Sequence, residues 1–358
     1  MPPKLLTNRI NSLDYLRGLA AVGIMCYHMQ LLNFGEVDAA TVLAKIKIYG
    51  VSIFYILSGL TLYKVYADNF SVKAIPEFYK KRIFRIVPLL LLATILTYLL
   101  DKEQPVSNFK LLCNITVLPG IIRPDVFIAN GAWSIGNECC FYLFFPVLLL
   151  LAKRNQLYLW FSIFISLLIF IFFSFNVLQP TQTLGAQWAA YVNVLNQFFL
   201  FALGMGLASL KGAPAAILKK LALPCMLALL LLIFYYPVQG EPIVLVTGST
   251  RLVLTLCVAA LCYGVYITDF SFLPAGIRWV LHTTGEISYA IYLMHPVVYL
   301  SLKKILGSNV SPYVLIAATI LLTLPLSYVV YNQFEKYFIN LGKRPLRMPV
   351  LRAINNKA

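Results

Sequence analysis

Apolar runs of about 17–25 residues recur along this chain, the length a helix needs to cross the hydrocarbon core of a bilayer. Ten can be placed, at 13–33, 47–67, 84–100, 132–151, 157–175, 188–209, 217–236, 247–268, 284–302 and 312–332. Of the 358 residues, 60% are hydrophobic and only 12% charged, far from the balance of a soluble domain. Membrane-spanning strands would show as alternating segments of about ten residues, and the sequence has no such pattern. The first run is too long for the apolar stretch of a cleaved signal peptide and carries charges within it. The expected fold is all-α. It is a polytopic membrane protein of about ten transmembrane helices, forming one membrane-embedded domain over residues 1–358 with no appended soluble domain.

The formal net charge is +16. In a soluble protein that excess would suggest nucleic acid; in a membrane protein it reports topology. With the N-terminus in the cytoplasm, Lys45, Lys47, Lys102, Lys110, Arg123, Lys303 and Lys304 fall outside and Arg251 sits at a span edge. The rest of the 29 lysines and arginines lie on the cytoplasmic side. An even number of spans then places both termini in the cytoplasm, with a basic tail at about 339–358. The expected partners include membrane lipids and exclude nucleic acid, and the expected site is the cytoplasmic (inner) membrane of a bacterium. The seven cysteines lie mostly in apolar runs without metal-ligand spacing. They are expected to be small packing residues, and no metal is expected. Within the long external connection 101–131, the stretch LLCNITVLPGII is apolar but too short to span. It suits a re-entrant or interfacial segment.

Ionisable residues inside spans are costly and become functional candidates. The first span holds Asp14, Arg17 and His28. Arg17 and His28 are eleven residues apart, nearly three turns, so they share a face with ~16 Å between them along the axis. Asp14 precedes Arg17 by three residues and can pair with it. Arg17 could instead snorkel to the interface, and a lone His28 could simply bond across helices.

In the second span, YGVSIFYILSGLTLY, Gly50 and Gly59 permit close helix approach, and Ser52 and Ser58 can bond across helices or line a path for a substrate chain. FYKKRIFRIVP sets Lys81, Arg82 and Arg85 at the start of the third span, with Pro88 expected to bend or restart it. That cluster suits anionic lipid or the phosphates of a cofactor. GAWSIGNECCFY carries Trp133, Ser134 and Glu138; the last two are one turn apart, and Glu138 could fix an imidazole tautomer or neutralise an arginine. In GEISYAIYLMHP, Ser288, Tyr292 and His295 share a face that could line a polar cavity.

The order of these elements carries more than any one of them. Arg-x10-His is followed by Gly-Val-x-x-Phe-x-x-x-Ser-Gly and then by Lys/Arg-Arg-x-x-Arg-x-x-Pro. Trp-Ser-x-x-x-Glu-x-x-Phe-Tyr, Ile-Ser-Tyr-x-x-Tyr-Leu-x-His and a late Phe-Glu-Lys complete the series. Over residues 12–338 the chain resembles the membrane acyltransferase 3 family, which O-acylates, usually O-acetylates, cell-surface carbohydrates. The late FEKYF departs from the family's Phe-Glu-x-Pro, with Tyr337 in place of the proline.

The resemblance implies an acyl-CoA-dependent O-acyltransferase that takes acetyl from cytoplasmic acetyl-CoA. The acceptor would be a hydroxyl of a carbohydrate or lipid-linked glycan on the outer side. It implies a catalytic set of His28 and Arg17, with Glu138 orienting the imidazole, and cofactor contacts from Lys81, Arg82, Arg85, Ser52 and Ser58. Asp14, Trp133, Ser134, Tyr292 and His295 would line the cavity. His28 would act as general base or as acyl carrier. A transporter or flippase of a lipid-linked glycan is the alternative. It would show repeated halves with broken helices at matching positions, and the sequence shows none.

Overall fold

The structure is a computed structural model that describes residues 11–101, 106–116, 123, 125–210, 216–307 and 309–345. Among these residues every regular element is a helix. In chain order they are α1 (Asn11–Phe34), α2 (Val42–Tyr66), α3 (Ile75–Leu100), α4 (Asn108–Thr116), α5 (Ala132–Arg154), α6 (Gln156–Phe172) and α7 (Trp188–Tyr191). They continue as α8 (Val194–Ser209), α9 (Ala216–Tyr235), α10 (Gly248–Ile267), α11 (Ala275–Glu286), α12 (Ser288–Leu306), α13 (Pro312–Val330) and α14 (Lys336–Lys343).

Helices occupy all ten expected stretches. Seven segments among the described residues are long and apolar enough to cross a membrane: 42–66, 72–100, 132–154, 156–177, 188–209, 248–267 and 312–343. Lys220–Tyr235 is a shorter apolar helix. The remaining two, α1 and α12, carry the ionisable residues singled out above, Asp14, Arg17, His28 and His295.

α1 lies inside the bundle and packs against α2, α11 and α12, with further contacts to α10 and α13. Its polar residues therefore meet other helices rather than lipid. α2 and α8 approach most closely at a pair of glycines. A Cβ on Gly59 would stand 2.0 Å from the Phe201 carbonyl oxygen, and one on Gly204 2.0 Å from that of Ile56. Only hydrogens fit at that crossing, the small-residue contact typical of membrane helices. The main apolar core then runs from Ile56 and Leu60 through Phe141, Phe145 and Phe201, with two smaller clusters where α1 meets α12.

Three expectations change in detail. Pro88 neither ends nor restarts the third span: α3 begins at Ile75 and runs through it to Leu100. Proline removes one intrahelical bond, and a long membrane helix tolerates that loss. The basic residues 80–85 thus sit on a continuous helix.

The span at 188–209 is broken after Tyr191. Asn193 caps Leu195 N–H at 2.9 Å, while Asn196 and Gln197 donate to the Tyr191 carbonyl at 2.8 and 2.7 Å. These amides satisfy backbone groups that a buried break would otherwise orphan. The span at 284–302 likewise divides at Ile287 into α11 and α12.

Of LLCNITVLPGII, residues 117–122 lie outside the described residues. The part that is described ends α4, where Asn114 bonds the Lys110 and Val126 carbonyls and the Ile128 N–H at 2.8–2.9 Å. The tail from 346 onward and the first ten residues also lie outside the described set.

Candidate active site

The centre of the site is a pair of histidines. His28 on α1 and His295 on α12 stack with ring centroids 5.0 Å apart and planes 15° apart. His28 Nδ1 and His295 Nε2 are 2.8 Å apart, and His295 Nδ1 is 2.9 Å from the Ile291 carbonyl oxygen. A carbonyl can only accept, so His295 Nδ1 carries the hydrogen. In the neutral pair His295 Nε2 is then an acceptor, and His28 must donate to it from Nδ1. The chain of bonds leaves His28 Nε2 with its lone pair and no proton. That is the form a general base requires.

His28 also lines a cavity of about 330 Å³, together with Tyr292, Trp133, Trp188 and Tyr191. Trp133 meets Trp188 edge to face, with centroids 5.4 Å apart. Gly131 opens α5 with φ +80, and a Cβ there would lie 3.0 Å from the Tyr292 hydroxyl. Both the left-handed backbone and the close approach call for glycine. Its carbonyl accepts from Ser134 Oγ and Tyr292 OH, each at 3.0 Å, and the two hydroxyls are 2.8 Å apart. Ahead of this turn, outside the spans, Arg123 forms a two-pronged bond with Asp125 at 2.9 and 2.7 Å. That hydrogen bond holds the Asp125 carboxyl below its ordinary range.

A second cluster forms at the Arg17 end of α1. Arg17 donates to Asp14 at 2.9 Å, to Thr61 Oγ1 at 2.6 Å and to the Leu57 carbonyl at 3.2 Å. It does not snorkel; it ties α1 to α2. Ser58 donates to Glu138 at 2.6 Å, and the Tyr142 hydroxyl bonds the same carboxylate oxygen. Glu138 is therefore held by Ser58 and Tyr142, not by His28. The partner that orients His28 is His295. Ser52 bonds the Ile48 carbonyl of its own helix at 3.3 Å.

The three basic residues of α3 expected to meet a cofactor divide. Lys81 is drawn into an ion pair with Glu77 at 2.7 Å. Arg82 lies over the Tyr142 ring at 5.7 Å, and its buried Nε has no hydrogen-bond partner. Arg85 is exposed, and neither arginine makes an ion pair among the described residues. An orphaned guanidinium N–H beside an exposed second guanidinium suits an oxyanion such as a phosphate.

The structure thus brings His28, Tyr292 and Trp133 to one cavity, with His295 and Ser134 buried behind its wall and bonded to His28 and Tyr292, and Arg17, Asp14, Ser58, Glu138, Arg82 and Arg85 to the other end. Lys81 is taken up by Glu77 and Ser52 by the Ile48 carbonyl, and neither lines the His28 cavity.

Sequence reasoning missed Tyr27, Glu36, Lys47, Trp188 and Tyr191, all lining the His28 cavity. Only Tyr27, next to His28, had a local signal. Lys47 was one of the charges counted outside, and nothing in the sequence ties Trp188 to α1. Also missed was the burial of Arg251, 3% exposed, whose guanidinium stacks 3.9 Å from the Phe170 ring and donates to Ser174 at 3.2 Å.

An acyltransferase domain family, acyltransferase 3, matches residues 10–332 of this chain. The chain belongs to that family and is a membrane acyltransferase by membership. No curated protein and no solved structure matches it.

Proposed function

We propose that this protein is an acyl-CoA-dependent O-acyltransferase of the cytoplasmic (inner) membrane, moving acetyl from cytoplasmic acetyl-CoA to a carbohydrate or lipid-linked glycan hydroxyl on the outer side. The observation that carries the reading is the tautomer fixed by His295, which gives His28 Nε2 a free lone pair in a ring that lines a cavity. A hydroxyl is a weak nucleophile until a base takes its proton. His28 Nε2 accepts that proton as the hydroxyl oxygen bonds to the thioester carbonyl. The C–S bond then breaks, and His28 returns the proton to the departing CoA thiolate.

At the Arg17 end, Arg82 and Arg85 face the CoA phosphates, which supplies the acceptor that the Arg82 Nε lacks. Both termini are placed in the cytoplasm on this reading. Arg17, already bonded to Asp14, Thr61 and Leu57, fixes the register of α1 on α2 and so the depth of His28. Ser58 and Glu138, bonded to each other at 2.6 Å, are assigned on this proposal to the route of the CoA arm between phosphate end and imidazole. A transporter or flippase gives no reason for the unpaired arginines, and the family membership does not favour it.

Thermal stabilisation by acetyl-CoA, compared with dephospho-acetyl-CoA, tests the donor assignment. Greater stabilisation by acetyl-CoA supports it, and equal absence of effect overturns it. Acid quench of protein loaded with labelled acetyl-CoA separates direct transfer from an acyl-imidazole on Nε2.

A further inference from the structure

The cavity beside His28 carries a cluster of polar groups where α1 ends, with Glu36 exposed and Lys47 largely covered. Tyr27, only 2% exposed, sets its hydroxyl 3.1 and 3.2 Å from the two carboxylate oxygens of Glu36. Lys47 donates to Glu36 Oε2 at 2.5 Å and hangs over the Tyr27 ring at 5.2 Å. The Val37 N–H donates to Glu36 Oε1 at 3.2 Å.

A carboxylate offers about four lone-pair sites and an ammonium three N–H bonds. Three donors occupy Glu36, and Lys47 spends one hydrogen on it. Each therefore keeps capacity to bond a ligand, from positions fixed by one another. The pair is electrically balanced, one anion to one cation.

Further round the wall, the indole N–H groups of Trp133 and Trp188 make no hydrogen bond among the described residues, and neither are they sealed from access. Their rings, set edge to face, offer flat apolar surface next to these donors.

Flat aromatic walls, free N–H donors and an already balanced carboxylate–ammonium pair together describe a neutral polyol. An alkyl chain would make no use of the remaining lone pairs and N–H groups of Glu36, Lys47 and the two indoles, whereas hydroxyls can both donate to and accept from them. An acidic sugar would bring a second anion against Glu36. The volume, about 330 Å³, is at the low end for ligand pockets, room for one ring and not an oligosaccharide.

The geometry points to an acceptor subsite for a single neutral sugar ring, with Glu36 and Lys47 reading adjacent hydroxyls and Trp188 with Trp133 as the platform. As an acceptor subsite, it rests on acyl transfer at His28.

The test uses the full chain in lipid nanodiscs and a panel of methyl glycosides of neutral hexoses and 6-deoxyhexoses. Methyl glucuronoside and 1-decanol are the contrasts. At least one neutral glycoside is expected to bind saturably, and Glu36→Gln and Lys47→Met each to weaken it about tenfold. Stabilisation by acetyl-CoA, bound at the other end, should be unchanged in both variants. Absence of binding by every neutral glycoside, tighter binding of the glucuronoside or decanol, or unchanged affinity in both variants overturns the subsite. If a glycoside binds as described but His28→Ala still transfers acetyl to it, the cavity assignment stands and the catalytic reading fails.

Discussion

His28 and His295, 267 residues apart in the chain, share a 2.8 Å bond between ring nitrogens, and the Ile291 carbonyl sets its direction. A backbone group one turn back on α12 thus decides which nitrogen of a ring on α1 is basic. Such control needs no charge, which suits a site buried among helices.

His295→Ala removes the acceptor for His28 Nδ1–H and frees the ring to take the wrong tautomer. We expect kcat to fall by about 10²–10⁴-fold, the range of a lost general base, with KM for acetyl-CoA unchanged. His295→Gln retains an acceptor oxygen and should recover part of the rate. A rise in KM for acetyl-CoA with kcat preserved would contradict the positioning role.

Arg82 and Arg85 make no ion pair among the described residues, and the buried Arg82 Nε has no hydrogen-bond partner, whereas Lys81 has Glu77. Charge-assisted hydrogen bonds contribute about 1.5–3 kcal/mol each. The double variant Arg82→Ala/Arg85→Ala should therefore raise KM for acetyl-CoA at least about tenfold, and Lys81→Ala should change it little. Equal effects from all three would return the cluster to lipid anchoring.

Glu138 accepts from both Ser58 and Tyr142, so Glu138→Ala leaves two buried hydroxyls with only each other as partner, and one hydrogen without an acceptor. An unsatisfied buried group costs about 1–3 kcal/mol, and a measurable loss of thermal stability is expected. Because Glu138 is held away from the histidine pair, Glu138→Ala should not share the non-additive coupling with His28→Ala that is expected of His295→Ala. A double-mutant cycle checks this.

Gly59→Ala should destabilise the bundle, because its Cβ would meet the Phe201 carbonyl. Overpacking of this kind typically costs 1–3 kcal/mol, and loss of folded yield in detergent measures it. Gly50→Ala, whose Cβ would meet only the flexible end of Ile24 at 3.0 Å, should be milder.

Much of the architecture was legible because hydrophobic run length alone finds membrane helices. The same feature hides breaks. The run at 188–209 stays apolar through Val192, and only the side chains of Asn193, Asn196 and Gln197 reveal the interruption that sets Trp188 and Tyr191 in the cavity wall.

On the site, helical spacing put Arg17 and His28 on one face and paired Asp14 with Arg17, because those are relations within one helix. Glu138 could be linked to a hydroxyl or an imidazole only once the crossing of α2 and α5 was known, and the expected His28–Glu138 pair gave way to His28–His295. Lys81 looked equivalent to Arg82 and Arg85 until Glu77, one turn back, was seen to hold it. Glu36 and Lys47 sat in a count of charges. Their meeting over Tyr27 depends on the turn after α1, where Gly35 takes φ +85.

The most direct measurement is acetyl transfer by His28→Ala in proteoliposomes loaded with labelled acetyl-CoA, alongside wild type matched for folded protein. If His28 Nε2 is the base, transfer falls by at least about a hundredfold while stabilisation by acetyl-CoA persists. Transfer at the wild-type rate by the folded variant would contradict the account at its centre.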